Sequence, residues 1–345
     1  MEFLRAMGRT PSGERLERIR RSPHYRKNGF ENLTHTTVMR EGASIPGMLW
    51  EFMNKPRDTA PPGVLPSVRT DLRGLSATGP VVVWFGHSSY LIKTGGLTVL
   101  VDPVFCGYAS PFPFSTRAFP GANVYGVDDL PETDMVVITH DHYDHLDHTT
   151  MRRLASKGWH FYTAMGVGSH LEYWGIAKEK ITELDWWEEV AIGDGGKLMS
   201  TPARHFSGRG FRRGRTLWSS FVLKVGGYTL FLGGDSGYGP HFKEIGRQCG
   251  PMDLAMLECG QYSKDWPDIH MLPEECVLAA GDLGAGVLLP VHWGKFSLSL
   301  HPWDEPVRRV VAAARDKGLA FATPLIGEPL LLGERLPQSP WWENV

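Results

Sequence analysis

The chain has 345 residues, 42% of them hydrophobic, with 12 Trp and 16 Phe. This content is sufficient for a large buried core and excludes a disordered protein. The formal net charge of -2 argues against a general polyanion binder, so nucleic acid is not an expected partner. No apolar run approaches the roughly 18 residues of a membrane span, and the start lacks the apolar segment of a secretory signal. We therefore expect a globular protein of the cytoplasm.

Residues 1–78 differ in character from the rest of the chain. They contain a basic helix-like segment, GERLERIRRS, an apolar segment, IPGMLWEFM, and a Pro-rich stretch, TAPPGVLPS, that cannot sustain a helix. We predict an N-terminal arm over residues 1–78 that packs on a hydrolase domain over residues 79–345. The basic residues from Arg15 to Arg21 and the apolar segment suit peripheral contact with an anionic membrane surface.

From Val81 onward, short apolar runs of strand length end in polar residues. The runs read VVVWFGH, TVLVD, DMVVITHDH, KLMSTPARH, YTLFLGGD and GVLLPVH, and most of them end in His or Asp. Helix-like stretches such as HTTMRRLASKG and LPEECVLAAGDLG lie between several of these runs. Strands that alternate with helices, with polar side chains at the strand ends, predict a layered α/β fold whose site lies along one sheet edge.

The stretch VVITHDHYDHLDH places four candidate metal ligands within six residues: His140, His142, Asp144 and His145. These side chains are too close in sequence to share one helix face or one strand face. A loop that runs into a helix can turn them toward a common centre. Imidazole nitrogen and carboxylate oxygen suit Zn²⁺, with Fe or Mn as alternatives. Because four such neighbours cannot all reach one tetrahedral ion, two ions fit the cluster better.

This cluster resembles the signature of the metallo-β-lactamase-fold hydrolases. Its flanks are most similar to the N-acyl-phosphatidylethanolamine-hydrolysing phospholipase D family. The matching motifs are WFGHSSYLI, VDPVF, THDHYDHLD, PARHFSGRG, WSSFVL, GGDSGY and LPVHWGKF, over residues 81 to about 300. The resemblance implies an αββα sandwich, two Zn²⁺ per chain and a homodimer.

The resemblance also implies a set of seven metal ligands. One ion would be held by His140, His142 and His205, a second by Asp144, His145 and His292, with Asp235 as the bridge. Asp102 in VDPVF and Asp147 after the cluster would orient ligands from behind without coordinating the metal.

Three residues are assigned to catalysis: Asp144, Asp235 and His270. His270 also resembles a family position that faces the substrate. For His87 in FGHSSY, a place at the site and a structural role are both open. The remaining histidines of the core domain are expected to be surface or core residues: His148, His160, His170, His241 and His301.

Five arginines flank or follow His205 in the sequence: Arg204, Arg209, Arg212, Arg213 and Arg215. Arginines beside a metal site suit a phosphate-bearing substrate, because the guanidinium group forms forked hydrogen bonds to phosphate. Arg204 and Arg209 are therefore assigned to substrate binding, together with His270.

These features together predict a dinuclear zinc phosphodiesterase of the phospholipase D type. The resemblance implies that it releases N-acylethanolamine and phosphatidic acid from N-acyl-phosphatidylethanolamine, through a hydroxide shared by two ions. The expected partner is a phospholipid or another anionic ester, and the expected location is the cytoplasm, with peripheral membrane contact. The alternatives are a cytoplasmic metal-dependent lactonase or esterase of a small anionic substrate, similar to L-ascorbate-6-phosphate lactonase, and a metal-binding protein without turnover.

Overall fold

The segment predicted as an N-terminal arm contains three α-helices and a short hairpin in its described part. The structure is a computed structural model that describes residues 2–210 and 212–345. The elements of the arm are α1 (Glu2–Ala6), α2 (Gly13–Arg21), β1 (Tyr25–Arg26), β2 (Gly29–Phe30) and α3 (Ile45–Met53). The apolar segment forms α3 because Ser44 caps its first turn by accepting a hydrogen bond from the Gly47 N–H, and Pro46 stands near its start.

The arm packs against the core domain through buried side chains and ion pairs. Ile19 and Phe30 are buried in the same apolar cluster as one face of the first central sheet. Arg15 pairs with Glu183 at 2.7 Å, and Arg18 pairs with another glutamate of the core. Two of the arginines expected at a membrane surface are therefore held by core carboxylates.

The first central sheet has seven strands and contains the metal-binding motif. Its strands are β3 (Val81–Trp84), β4 (Tyr90–Thr94), β5 (Leu97–Val101), β6 (Met135–Ile138), β7 (His160–Ala164), β8 (Ile181–Leu184) and β16 (Pro329–Leu331). Their spatial order is β16-β3-β4-β5-β6-β7-β8. The strands from β5 to β8 are parallel, and the remaining pairs are antiparallel.

The second central sheet also has seven strands and faces the first. Its strands are β9 (Glu189–Ile192), β10 (Gly196–Thr201), β11 (Ser220–Val225), β12 (Tyr228–Leu232), β13 (Leu254–Glu258), β14 (Val287–Val291) and β15 (Ala320–Phe321). Their spatial order is β15-β14-β13-β12-β11-β10-β9. The strands from β12 to β15 are parallel.

Helices cover the outer faces of both sheets. They are α4 (His148–Leu154), α5 (Gly168–Tyr173), α6 (His241–Cys249), α7 (Pro273–Asp282) and α8 (Glu305–Lys317). Along β3, Val82 and Trp84 point into the core between the sheets, whereas Val83 points to the layer that contains α4 and α5. The second sheet shares its core cluster with α6, α7 and α8. The layers therefore run helix, sheet, sheet, helix, which confirms the predicted αββα sandwich.

The strand directions bring polar residues to one edge of the sandwich. β10 runs in the same direction as β12, because both are antiparallel to β11. Polar residues follow the carboxyl ends of five strands. They are Asp102 after β5, His140 after β6, His205 after β10, Asp235 after β12 and His292 after β14. Five strand ends, distant in sequence, thus converge on one place.

The helices of the described residues are short. The longest is α8, with 13 residues, and none has both the length and the apolar content to cross a bilayer.

Candidate metal centre

Four buried or partly buried side chains form the first group of candidate ligands: His140, His142, His205 and Asp235. One ligand atom from each lies within 4.8 Å of the others. The Nε2 atoms of His140 and His205 lie 3.0 Å and 3.2 Å from the Nδ1 atom of His142. Three imidazole nitrogens and one carboxylate around a common point form a donor set that suits Zn²⁺.

A second group of the same size lies beside the first: His87, Asp144, His145 and His292. His87 follows β3 and was an open case in the sequence. Its ring is fully buried, and its Nε2 atom lies 2.8 Å from Oδ2 of Asp144. The structure therefore places His87 at the site, where it holds Asp144.

Asp235 lies between the two groups. Its Oδ2 atom is 3.7 Å from Nε2 of both His140 and His205. Its Oδ1 atom is 3.1 Å from Nε2 of His145 and 3.1 Å from Nδ1 of His292. One carboxylate oxygen thus faces each group, which is the geometry that a bridging ligand requires.

The turn before Asp235 needs glycine. Gly234 has a φ of +60°, and a Cβ there would lie 2.8 Å from the Cβ of Thr139. A larger residue would therefore be strained and would push against the loop that carries His140.

Several buried polar atoms at this centre have no hydrogen-bond partner among the described residues. They are Nδ1 of His87, Nε2 of His145, Oδ1 of Asp235 and Nε2 of His292. A buried polar atom without a partner costs about 1–3 kcal/mol, so such atoms are rarely left without a ligand. Coordination of divalent metal would satisfy the atoms of His145, Asp235 and His292, and the residues present fit that role.

The electrostatics also favour a bound cation. Burial lowers the pKa of His142 to about 4 and the pKa values of His140, His205 and His292 well below the ordinary range. These rings are therefore neutral at pH 7, the form that binds metal. At His145, burial opposes the charged form, but Asp235, Asp144 and Asp102 outweigh it and raise the pKa. The three carboxylates thus create a negative potential at this ring.

Asp102 orients one ligand from behind. Its carboxylate accepts hydrogen bonds from the N–H and the hydroxyl of Thr139, at 2.9 Å and 2.6 Å. Its Oδ2 atom also lies 2.7 Å from Nδ1 of His145. With Nδ1 bound in this way, the Nε2 lone pair of His145 is directed toward the centre.

Asp147 has a different role from the one that the sequence indicated. Its carboxylate accepts from the Thr149 N–H at 2.9 Å, which caps α4, and from the Cys106 N–H at 2.9 Å. It also accepts from the hydroxyl of Thr150. These contacts fix the start of α4 and the loop after β5, and none of them reaches a candidate ligand.

The sequence reasoning missed two acidic residues, Asp141 and Glu258. Asp141 accepts from the Gly208 N–H at 2.7 Å and from the Thr216 hydroxyl at 2.9 Å, and so ties the metal-binding loop to the arginine-rich loop. Glu258 belongs with Asp235, His270 and His292 to a third group of close ligand atoms. The available signal was an acid that closes an otherwise apolar strand, LAMLE.

The guanidinium groups of the two arginines assigned to substrate binding are bonded to other parts of the chain. Arg204 donates to the carbonyl oxygens of His35 and Tyr238, at 2.8 Å and 3.1 Å. Arg209 is only 6% exposed, and its guanidinium group donates to three backbone carbonyls, those of Ala6, Asp141 and Leu146. Both side chains fix backbone segments, which corrects the expectation that they contact substrate.

The candidate ligands open into a cavity of about 290 Å³, into which His270 also projects. Most of its remaining wall is apolar and is formed by Val38, Met39, Met48, Trp266, Ile269 and Leu298. One arginine, Arg213, lines this cavity and stacks on Phe206 with 4.7 Å between the guanidinium carbon and the ring centre. The sequence had grouped Arg213 with its neighbours but had not assigned it to substrate.

The arm contributes directly to this site. Val38, Met39 and Met48 of the cavity wall all belong to it. The Asn32 amide donates to the His205 carbonyl at 2.8 Å and accepts from the His205 N–H at 3.1 Å. The arm therefore holds the backbone of a candidate ligand as well as forming part of the wall.

The other core histidines lie outside the three ligand groups of the described residues. They have other polar or aromatic neighbours: His148 contacts Trp174, His160 contacts Thr182, His170 contacts Asp141, His241 contacts Ser236 and His301 contacts Gln261.

Comparisons with known proteins agree with this geometry. Residues 98–293 match the model of the β-lactamase superfamily domain. The Rv0906 protein of Mycobacterium tuberculosis is 39% identical over 99% of this chain and 94% of its own length. The N-acyl-phosphatidylethanolamine-hydrolyzing phospholipase D 1 of Caenorhabditis elegans is 29% identical over 73% of this chain and 76% of its own length. The metallo hydrolase Igni18 of Ignicoccus hospitalis has a TM-score of 0.57 at 20% identity, over 74% of this chain and 99% of its own.

The fold, the gathered ligands and the matched domain together define a class of protein. The chain belongs to the β-lactamase superfamily and has the metallo-β-lactamase fold. The superfamily predicted from the sequence motifs is thereby confirmed.

Asp102 and Asp147 should respond differently to substitution. We expect Asp102→Asn to weaken metal affinity roughly 10- to 100-fold, because it disturbs the partner that orients His145. Asp147→Ala should lower the free energy of unfolding by about 1–3 kcal/mol through loss of the cap, with metal affinity close to wild type. Chelator competition and urea unfolding measure the two effects. Equal loss of metal affinity in both variants would contradict these assignments.

Proposed function

We propose that this chain is a dinuclear zinc phosphodiesterase of the phospholipase D type. Its substrate would be a lipid phosphodiester such as N-acyl-phosphatidylethanolamine, cleaved to phosphatidic acid and an N-acylethanolamine. The proposal rests on one observation above the others, that the ligand groups open into a cavity with a largely apolar wall and one arginine. The name of the Caenorhabditis elegans relative supports the same substrate class.

The ligand groups support two ions per chain. His140, His142 and His205 would hold one ion, Asp144, His145 and His292 would hold the other, and Asp235 would contact both. Bound there, the two ions would lower the pKa of water and polarise a phosphoryl oxygen, which supplies the nucleophile and the electrophile at neutral pH. The chain's own residues would orient the ligands and bind the substrate.

Arg213 is the residue best placed to bind a phosphate. Its guanidinium group is held against the Phe206 ring at the cavity wall, and a planar guanidinium group can form two parallel hydrogen bonds to phosphate oxygens. A second cavity of about 520 Å³ is also lined by His205, Phe206 and Arg213. This additional space lets an acyl chain extend away from the reacting phosphate.

Helix α3 supports contact with a lipid surface. Its Met48 lines the cavity, whereas Trp50 and Met53 are 63% and 77% exposed. Large apolar side chains that face solvent beside a lipid-binding cavity suit insertion into the interface of a bilayer. In this arrangement a phospholipid would pass from the bilayer to the ligands over one helix.

The small size of the main cavity favours a second candidate function. A volume of about 290 Å³ lies just below the range for small-molecule sites, which is about 300–1,000 Å³. A small anionic ester or lactone would fill it without the adjoining space. The same ligands and the same arginine would serve that reaction.

The proposed function requires both metal and turnover. Purified protein should contain close to two divalent ions per chain, and it should release N-acylethanolamine from N-acyl-phosphatidylethanolamine in vesicles. Asp235→Ala should lose most of both ions, because it removes the carboxylate that faces both groups. Elemental analysis and chromatography of the products measure these outcomes. Full activity with a single ion would contradict the dinuclear proposal, and turnover of lactones alone would favour the second candidate.

Arg213 and Arg212 form a matched pair of variants. Arg213→Ala should reduce kcat/KM for the lipid phosphodiester about 10-fold or more, because a charge-assisted hydrogen bond contributes about 1.5–3 kcal/mol. Its effect on a neutral aryl ester should be small. Arg212, which lines a separate cavity with Arg9, should tolerate replacement by Ala in both assays. If the two variants behave alike, Arg213 does not recognise phosphate.

If α3 contacts a bilayer, the activity should depend on whether the lipid is in vesicles or dispersed in detergent. Replacing Trp50 and Met53 together by Ser should lower activity on vesicles several-fold more than activity on lipid dispersed in detergent. Val64 is 71% exposed but lies outside α3, so Val64→Ser serves as the control and should leave the ratio unchanged. Equal loss on vesicles and in detergent would exclude α3 as a membrane contact.

A further inference from the structure

Two cavities at the candidate metal centre share part of their walls. The candidate ligands open into the main cavity of about 290 Å³, and a side cavity of about 520 Å³ lies next to it. Among the described residues, those that line both cavities are Val38, His205, Phe206 and Arg213. His205 is a candidate ligand, and the other three side chains form the rest of this shared boundary.

Part of the boundary is tied to the candidate ligands. The Phe206 ring packs against His142 and His205, with 4.5 Å and 5.0 Å between the ring centres. The guanidinium carbon of Arg213 lies 4.7 Å from the centre of the Phe206 ring. A change at Phe206 would therefore disturb two candidate ligands as well as the arginine proposed to bind phosphate.

The remaining member of the boundary is Val38, in the irregular segment between β2 and α3. Among the described residues of the arm, it is the only one that lines both cavities. Met39 and Met48 line the main cavity alone, and Leu33 lines the side cavity alone. Val38 is not a candidate ligand, so its size can change without altering the metal-binding groups.

Hydrogen bonds fix the backbone on both sides of Val38. Before it, the Thr37 N–H donates to Oδ2 of Asp268 at 2.7 Å. After it, the Arg40 N–H donates to the Asp265 carbonyl oxygen at 2.7 Å, and the Arg40 guanidinium group donates to the Asp265 carboxylate at 2.9 Å. These bonds to the core loop after β13 hold Val38 at the boundary.

The side cavity suits an alkyl chain. Its wall includes the aromatic rings of Phe30, Phe206 and Trp218, and mostly polar residues of the arm complete it. The Trp218 indole N–H donates to Oδ1 of Asn32 at 3.0 Å, and the Asn32 amide donates to the His205 carbonyl at 2.8 Å. Because these polar groups already have partners, the aromatic part of the wall presents mainly apolar surface, which favours burial of an alkyl chain.

We propose that Val38 is a specificity-determining residue, which sets how much of a substrate's alkyl chain passes from the main cavity into the side cavity. The phosphate lies at the candidate ligands and Arg213, and the chain crosses the boundary at Val38. A larger side chain there closes the side cavity and restricts the site to short chains, whereas alanine leaves it open. The choice of an alkyl chain rests on the proposed function, but the position of Val38 does not.

Binding of n-alkylphosphonates tests the boundary without turnover. Zinc-loaded protein is titrated with ethyl-, butyl-, hexyl- and octylphosphonate, and the affinities are measured by calorimetry. In the wild type, affinity should rise about three- to fourfold for each methylene that is buried. In Val38→Phe, ethylphosphonate should bind as in the wild type, but the rise should end at a shorter chain, which leaves octylphosphonate roughly 10-fold or more weaker. Val38→Ala should keep the full rise.

Val64→Phe is the matched control for this series. Val64 is also a valine of the arm, but it is 71% exposed and lines neither cavity. The control should reproduce the wild-type affinities, and melting temperatures verify that all variants are folded. The proposal is overturned if Val38→Phe follows the wild type at every chain length, or if it weakens ethylphosphonate and octylphosphonate by the same factor.

Kinetics test the consequence for the substrate. Short-chain and long-chain N-acyl-phosphatidylethanolamine are compared in the same detergent. Val38→Phe should raise KM for the long-chain lipid several-fold more than for the short-chain lipid, with kcat little changed, because Val38 is not a candidate ligand. Equal changes in KM would contradict the proposal. If the wild type hydrolyses neither lipid, the proposed function fails, while the phosphonate series still decides the role of Val38.

Discussion

The fold is built around polar atoms that are buried without hydrogen-bond partners of their own. Four such atoms, from His87, His145, Asp235 and His292, converge between two sheets. Leaving them without partners is costly, so the surrounding structure must hold them in place for a ligand such as a metal ion. That requirement explains why a carboxylate such as Asp102 and backbone groups occupy the far side of several ligands. The rigid strands on both sides supply the fixed points.

The backbone around the candidate metal centre is strained, and this strained conformation also helps to hold the ligand side chains in place. His87, Asp102, Gln261 and His292 have positive φ angles between 40° and 69° although they are not glycine. Such conformations cost about 1–3 kcal/mol each and persist only where the surroundings determine them. All four lie at or next to the metal centre. Here the packing of the two sheets offsets the cost of turning side chains toward a common point.

Local patterns of the sequence predicted a layered α/β fold and the four clustered candidate ligands, whereas the αββα order and the full set of seven ligands were implied by the family resemblance. Apolar runs with β-branched residues predicted the strands. Polar residues at the ends of these runs predicted the sheet edge at which the site lies. The hydrogen-bond partners of the Arg204 and Arg209 side chains could not be predicted from the local sequence. They depend on carbonyls of the arm and of the metal-binding loop, which lie far away in sequence. The same holds for Asp147, whose helix-capping contact was hidden by its place next to the cluster, and for Glu258, whose partner His270 lies on a separate loop.

In this chain, the residues that shape the cavity and the residues that could bind metal lie partly in different segments, whereas many enzymes combine both in one segment. Asn32 binds the backbone of His205, and Val38, Met39 and Met48 form a large part of the apolar wall, yet none of these four residues is a candidate ligand. Substitutions in the arm can therefore alter which molecules enter the cavity while the chemistry at the strand ends stays the same. Related chains with one reaction and different substrates would then differ most in their first 50 or so residues, and exchanging those segments would transfer the preference between them.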